Sequence, residues 1–266
     1  MSMNVNGLWM SESDVLPIMA VMSINSYLKH GHQFTLWSYL PSYKNLPDGC
    51  ILKDANEVIP KSEAYTDVLG SYAHFSDAWR WKFLHENGGF WTDLDVVCLK
   101  DTIPFIDGIH ICRMHDGVDS AMVGTLGFPK QHPVCKTMLE ICQKPYEINE
   151  FDGGELLALK KACLAKYKTH EERIKNCVYP ATYRVFGAVL MKHCLEDKLL
   201  PPECVYPVKY NELNKLTAPA FKLSQVVKER TFAIHLWHSH FAKVIHLHVM
   251  IPSILKELYD MYFKQS

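Results

Sequence analysis

The sequence predicts an α/β fold, and three observations carry that expectation. Apolar residues at the start follow strand, helix and strand periodicity in turn, the rhythm of a parallel pairing through a helical crossover. A second helix then leads through paired glycines into an apolar strand in SDAWRWKFLHENGGFWTDLDVVCLK, residues 76–100. Beyond it, further strand-like and helix-like segments reach the end of the chain with no repeat, low-complexity tract or linker to divide it.

The first strand is expected over Val5–Met10 and the first helix over about Asp14–His30. Asp14 suits an N-cap, Leu16, Met19, Ala20, Ile24, Tyr27 and Leu28 recur at helical spacing, and Gly31 ends the helix. QFTLWSYL and CILKD read as the next strands, separated by turns at Pro41 and Pro47–Gly49. The second helix is expected over Ser76–Asn87, with Ser76 as cap and Gly88 in the left-handed region, and its strand over Phe90–Leu99. Apolar pieces at Ile109–Arg113 and Met122–Phe128 follow, then helices at Pro133–Cys142, Gly154–Tyr167 and Tyr183–Glu196. RTFAIHLW reads as a late strand and IPSILKELYDMYF as an amphipathic helix.

The 266 residues suit one large domain, residues 1–266, and 48% hydrophobic with 21% charged residues is an ordinary globular balance. A formal net charge of −1 supplies no general attraction to nucleic acid, so no nucleic-acid partner is expected. Cys50, Cys98, Cys112, Cys135, Cys142, Cys163, Cys177, Cys194 and Cys204 form no CxxC pair and read as buried thiols of a reducing compartment. The N-terminus has neither a basic nor an apolar signal region, and no stretch has the length of a membrane span. A cytoplasmic protein is expected, with the inner face of a membrane as a place it visits.

Two acids, Asp93 and Asp95, interrupt the strand in TDLDVV. In an extended strand, residues i and i+2 share a face, which sets them roughly 6.6 Å apart beside Trp91 and Val97. Like charges so placed repel, and a shared cation is their natural partner. Hard cations held by one or two carboxylates complete their shell with water and phosphate, so the pair points to a phosphate-bearing ligand. The plain alternative is two solvent-facing acids paired with Lys100 or Arg113. On the preceding helix Asp77 and Arg80 share a face, opposite a core stripe of Phe75, Trp79 and Phe83. The glycine turn folds that face back toward the acids, where an arginine suits a bidentate grip on a diphosphate.

The whole block resembles the signature of DXD-type sugar-nucleotide glycosyltransferases of the sugar-binding-region family, with their capsular-polysaccharide and α-1,4-galactosyltransferase relatives: S-D-x-x-R, an apolar helix, then G-G-hydrophobic-aromatic-x-D-x-D. GLWMSE resembles their first strand, KHGHQFTLWSY and LKDANEVIP the next two elements, and FAIHLWHSHF their His-hydrophobic-Trp closing segment. The resemblance implies a GT-A type nucleotide-diphospho-sugar transferase fold, single-domain with a Rossmann-like N-terminal half. Residues 1–100 would bind nucleotide sugar and metal, and residues 101–266 would form the acceptor side. It implies a metal-dependent, retaining hexosyltransferase that uses a UDP-sugar, with Mn²⁺ or Mg²⁺ as cofactor and a carbohydrate or glycolipid acceptor, in surface polysaccharide or glycolipid synthesis.

Carried over residue by residue, Asp95 binds the metal, Asp93 contacts ribose and metal, and His235, set on one strand face with Trp237, is the third ligand. Asp77 holds sugar hydroxyls, Arg80 sits against sugar and diphosphate as a catalytic group with Asp95, and Trp9 stacks on the base. Trp237 and His238 complete the donor site, while Asp152 and Glu155 are acceptor-side acids. The family's Asn-rich turn and G-P-x-L-L-T segment are replaced here by HDGVDSAMVGT and FGAVLMK, where Gly187 is the remnant. DLDVV also fits the motif of haloacid-dehalogenase-type phosphatases, with Asp93 as nucleophile, although no downstream acidic pair follows. A catalytically silent sugar-binding protein is the remaining alternative. The apolar side of the last helix, Ile254, Leu255, Leu258, Tyr259 and Tyr262, suits either packing on the core or peripheral membrane contact.

Overall fold

A computed structural model describes residues 2–68, 70–176, 181–241 and 244–263. Cys177 lies outside them. Strand β1 (Asn4–Trp9) pairs in parallel with β2 (Gln33–Ser38), which pairs in parallel with β3 (Ile51–Asp54). Helix α1 (Ile18–Lys29) makes the crossover. It begins at Pro17, whose fixed φ suits a helix start, and not at Asp14, which pairs with Lys44 instead. On the other side of β1 lies β4 (Gly89–Thr92), again parallel. These four strands are the Rossmann-like half that the sequence predicts.

The remaining strands are β5 (Val96–Cys98), β6 (His110–Arg113), β7 (Ala121–Phe128), β8 (Leu199–Leu200) and β9 (Ala233–His235). The main sheet of seven strands has the order β3-β2-β1-β4-β7-β6-β8, in which β7 alone runs against its neighbours. β5 and β9 form a separate antiparallel pair. The expected single strand over Phe90–Leu99 is thus two strands in two sheets, and the expected late strand shrinks to three residues.

Alternate residues of each central strand feed opposite layers. Val5, Phe34 and Phe90 face Tyr27 and Ile24 of α1, whereas Leu8, Trp37 and Trp91 pack with Trp79 and Phe83 of helix α2 (Ala73–Asn87). Beyond α2 lie α3 (Pro133–Gln143), α4 (Gly154–Lys166), α5 (His170–Lys175) and α6 (Ala181–Lys192). The C-terminal helix Ile254–Tyr262 buries Ile254, Leu255, Leu258 and Tyr262 in the layer under α1, so its apolar side is core and not a membrane-facing surface. No described helix is long and apolar enough to cross a membrane. Cys194 is exposed and Cys50 half-buried, against the expectation of buried thiols; the other described cysteines are buried and all are free.

Helix α2 starts three residues before Ser76, because Ser71 Oγ accepts the Ala73 N–H at 3.2 Å and supplies the first-turn partner. Gly88 ends it with φ +68° and ψ −162°, a combination essentially confined to glycine. A Cβ there would lie 2.5 Å from the Lys130 backbone nitrogen. This turn lays α2 alongside β4. Gly88→Ala is expected to cost about 2 kcal/mol or more, lowering the melting temperature by roughly 4–8 °C. An unchanged thermal midpoint would show that the turn tolerates a side chain.

Candidate active site

The two acids do not lie in an extended strand. Asp93–Asp95 form a turn between β4 and β5, closed by Val96 N–H donating to the Asp93 carbonyl at 3.2 Å. Buried Leu94 pins the turn against Gly7, where a Cβ would come within 3.0 Å of the leucine methyl. The Asp93 N–H donates to the Gly124 carbonyl of β7 at 2.7 Å. The carboxylates converge because the chain reverses, not because of the two-residue strand period.

Arg80 reaches this turn from α2 and is only 4% exposed. Its Nη2 donates to Asp93 Oδ1 at 2.7 Å and lies 3.5 Å from Asp77 Oδ1, while Nη1 donates to the Val123 carbonyl at 2.7 Å. The guanidinium stacks over the Trp91 ring at 5.1 Å, and Trp91 Nε1 donates to the same Asp93 oxygen at 3.0 Å. Each terminal nitrogen of Arg80 thus gives one N–H to the protein and carries a second. Arg80 thereby orients Asp93 while still lining the cleft.

Asp95 is held from the C-terminal side. Its Oδ2 accepts the His238 N–H at 2.7 Å, its carbonyl accepts the Leu236 N–H at 2.8 Å, and His235 Nε2 lies 3.4 Å from Oδ1. His235 is the last residue of β9, paired with Val96. Trp237 is not on its strand face: at φ +56° the chain has left the strand, and the Trp237 N–H donates to His235 Nδ1 at 3.2 Å. The Trp237 ring packs edge-on against His235, with centroids 4.3 Å apart, instead of lining the cleft.

Asp93, Asp95 and His235 each offer one ligand atom, all within 4.8 Å of one another. Two carboxylates and an imidazole are a donor set that suits Mn²⁺ or Mg²⁺, so these residues fit the divalent ion that the sequence implies. The electrostatics agree. The Asp93 pKa is raised from 3.8 to about 6, first by burial and then by the Asp95 charge, against the opposing pull of Arg80. Two acids at this spacing resist ionising together without a cation.

The turn opens on a cleft of about 400 Å³ lined by Trp9, Ser71, Asp77, Arg80, Asp93, Asp95 and His238, among others. Trp9 ends β1 and meets the His238 ring edge-on at 5.8 Å. The structure thus brings Trp9, Asp77, Arg80, Asp93, Asp95, His235 and His238 to one place, with Trp237 behind His235. Asp152 is elsewhere, its side chain fully buried on Lys160 at 2.7 Å, and Glu155 is an exposed partner of Arg184. Sequence reading missed Ser71, the Val123 carbonyl and the Gly124 carbonyl. The first acts from a loop and the other two act through backbone.

Residues 13–111 match the family model described as "Glycosyltransferase sugar-binding region containing DXD motif". No curated protein sequence matches the chain. Similar solved structures include the PaToxG glycosyltransferase, 13% identical over 98% of this chain and 84% of that one, with a TM-score of 0.46. The apo bifunctional glycosyltransferase WbbM is 13% identical over 97% and 51%, at 0.42, so the chain spans about half its length. The galactosyltransferase LgtC, in complex with donor and acceptor sugar analogs, is 8% identical over 98% and 97%, at 0.43. The α/β sheet with its parallel N-terminal half agrees with the GT-A type fold that the family resemblance implies. Asp77, Arg80, Asp93 and Asp95 all lie within residues 13–111, the part of the chain that is similar to that family model.

Proposed function

We propose that the chain transfers a hexose from a UDP-sugar to an acceptor hydroxyl, with retention of configuration, in the synthesis of a surface polysaccharide or glycolipid. The convergence of Asp93, Asp95 and His235 at the mouth of the Trp9-lined cleft carries this reading. A divalent cation held by these three residues would stabilise the charge that develops on the leaving diphosphate.

The chain's own groups divide the remaining work. Trp9, at the end of β1, offers a ring face to the base, and Asp93 is placed to meet the ribose. Asp77, in the cleft wall, takes sugar hydroxyls. Arg80 and Trp91 fix the Asp93 rotamer, so the carboxylate needs no reorganisation when donor arrives. The His238 N–H does the same for Asp95. Residues 101–266 furnish the acceptor side, and the segment from His235 to His238 closes the donor site. Asp77, Asp93 and Asp95 are the carboxylates among the described residues lining the cleft, and each already has a task. That distribution favours same-face displacement without a covalent intermediate.

A phosphatase using Asp93 as nucleophile is less well supported, because Oδ1 accepts from both Arg80 and Trp91. The silent sugar-binding alternative separates by assay: purified protein with Mn²⁺ is expected to hydrolyse or transfer from one member of a panel of nucleotide sugars, and binding without turnover would leave only the silent reading.

Asp95→Asn is expected to lower turnover by at least about 10²-fold, since it removes a ligand charge. Its metal-free melting temperature should stay within a degree or two, because an amide oxygen can still accept the His238 N–H. A large loss of thermal stability would assign Asp95 a structural role instead. Protonation gives a second test. The raised Asp93 pKa means that the metal-free fold gains stability as pH falls from about 6 toward 4, where the neutral carboxyl is favoured, and loses it as pH rises through about 6. Mn²⁺ affinity should run the opposite way, strengthening as pH rises through the same window. Calorimetric titration at pH 5 and pH 7.5 checks the sign, and equal affinities would contradict it.

A further inference from the structure

Tyr206 lies in the segment between β8 and β9, outside every sequence signature of the site. It is 2% exposed, and its buried hydroxyl has no hydrogen-bond partner among the described residues. Buried tyrosine hydroxyls normally have a partner, and a phenylalanine would fill the same volume without the desolvated oxygen. Orphaned buried groups of this kind point to something that arrives with a ligand.

The surroundings say which ligand. The Tyr206 ring packs 5.5 Å from the His235 ring and 5.9 Å from Trp237, centroid to centroid. The backbone locks this neighbourhood, since the His235 N–H donates to the Val205 carbonyl at 3.0 Å. Gly124 is the meeting point. A Cβ there would lie 3.0 Å from the Tyr206 hydroxyl and 3.3 Å from His235 Nε2, so only glycine lets both approach. The Gly124 carbonyl in turn holds the Asp93 N–H.

We infer that Tyr206 is a positioning residue of the metal centre, its hydroxyl held to donate a hydrogen bond to an oxygen carried by the cation. That oxygen is a bound water in the resting protein and a diphosphate oxygen when donor is present. The inference rests on the reading of Asp93, Asp95 and His235 as ligands. It assigns to Gly124 the task of leaving the space.

The test compares wild type and Tyr206→Phe by calorimetric titration with Mn²⁺ alone, then with Mn²⁺ and UDP, alongside metal-free melting. The phenylalanine variant should melt at or above the wild-type temperature without metal and bind Mn²⁺ about tenfold more weakly or worse. Loss with Mn²⁺ alone identifies the water; loss that appears only with UDP identifies the diphosphate. Wild-type affinity in both titrations would overturn the role of Tyr206 while leaving the metal site standing. Failure of the wild type to bind Mn²⁺ would overturn both. Should Tyr206→Phe fail to fold, the near-ultraviolet difference spectrum of the wild type decides: Mn²⁺ should perturb the tyrosine band, and an unperturbed band would refute the contact.

Discussion

The ion pair between Arg80 and Asp93 is the constraint on which the site depends. A carboxylate placed beside a second one, with most of its surface withdrawn from water, needs a permanent countercharge or it takes up a proton. Arg80 supplies that charge from the neighbouring helix, and it does so while almost fully buried itself. Such a pair is a weak source of net stability, but losing one partner leaves a buried charge exposed to nothing, which costs about 3–5 kcal/mol. The pair also defines position. Arg80 joins α2, the acid turn and the Val123 carbonyl of β7, so three elements share one register.

Seen from that pair, the arrangement of the cleft is asymmetric. Asp93 is fixed from the N-terminal half by Arg80 and Trp91, and Asp95 is fixed from the C-terminal segment by Leu236 and His238. Each acid therefore reports on a different part of the chain. The buried serines of α1 complete the frame: Ser23 Oγ donates to the Val96 carbonyl at 2.7 Å and Ser26 Oγ accepts the Cys98 N–H at 2.8 Å, satisfying backbone groups of a strand too short to pair on both sides.

Much of this was legible in the residues. Period-two and period-3.6 patterns located β1, α1, β2 and α2 to within a few residues, because those elements bury one face each and say so in their spacing. The Asp77/Arg80 face and the glycine turn were legible for the same reason. The DLD turn was not, since Val96, Val97 and Cys98 continue the apolar run of β4 and hide the chain reversal at Asp93–Asp95. β8 and β9 are two and three residues long, below the length at which alternation can be seen. Ser71 displaced Ser76 as the helix-start partner through a loop conformation that no local pattern encodes. Tyr206 gave no signal at all, for its relation to Asp93 exists only after the sheets have assembled.

The bond from the His238 backbone to Asp95 spans 143 residues of sequence. Contacts of such range form late, because the loop-closure entropy must be met before they contribute anything. Asp77, Arg80, Asp93 and Asp95 lie close together in sequence, whereas His235 joins them only through the pairing of β5 with β9. On the function proposed above, competence would follow completion: until β9 has paired with β5, the two acids stand without His235 beside them.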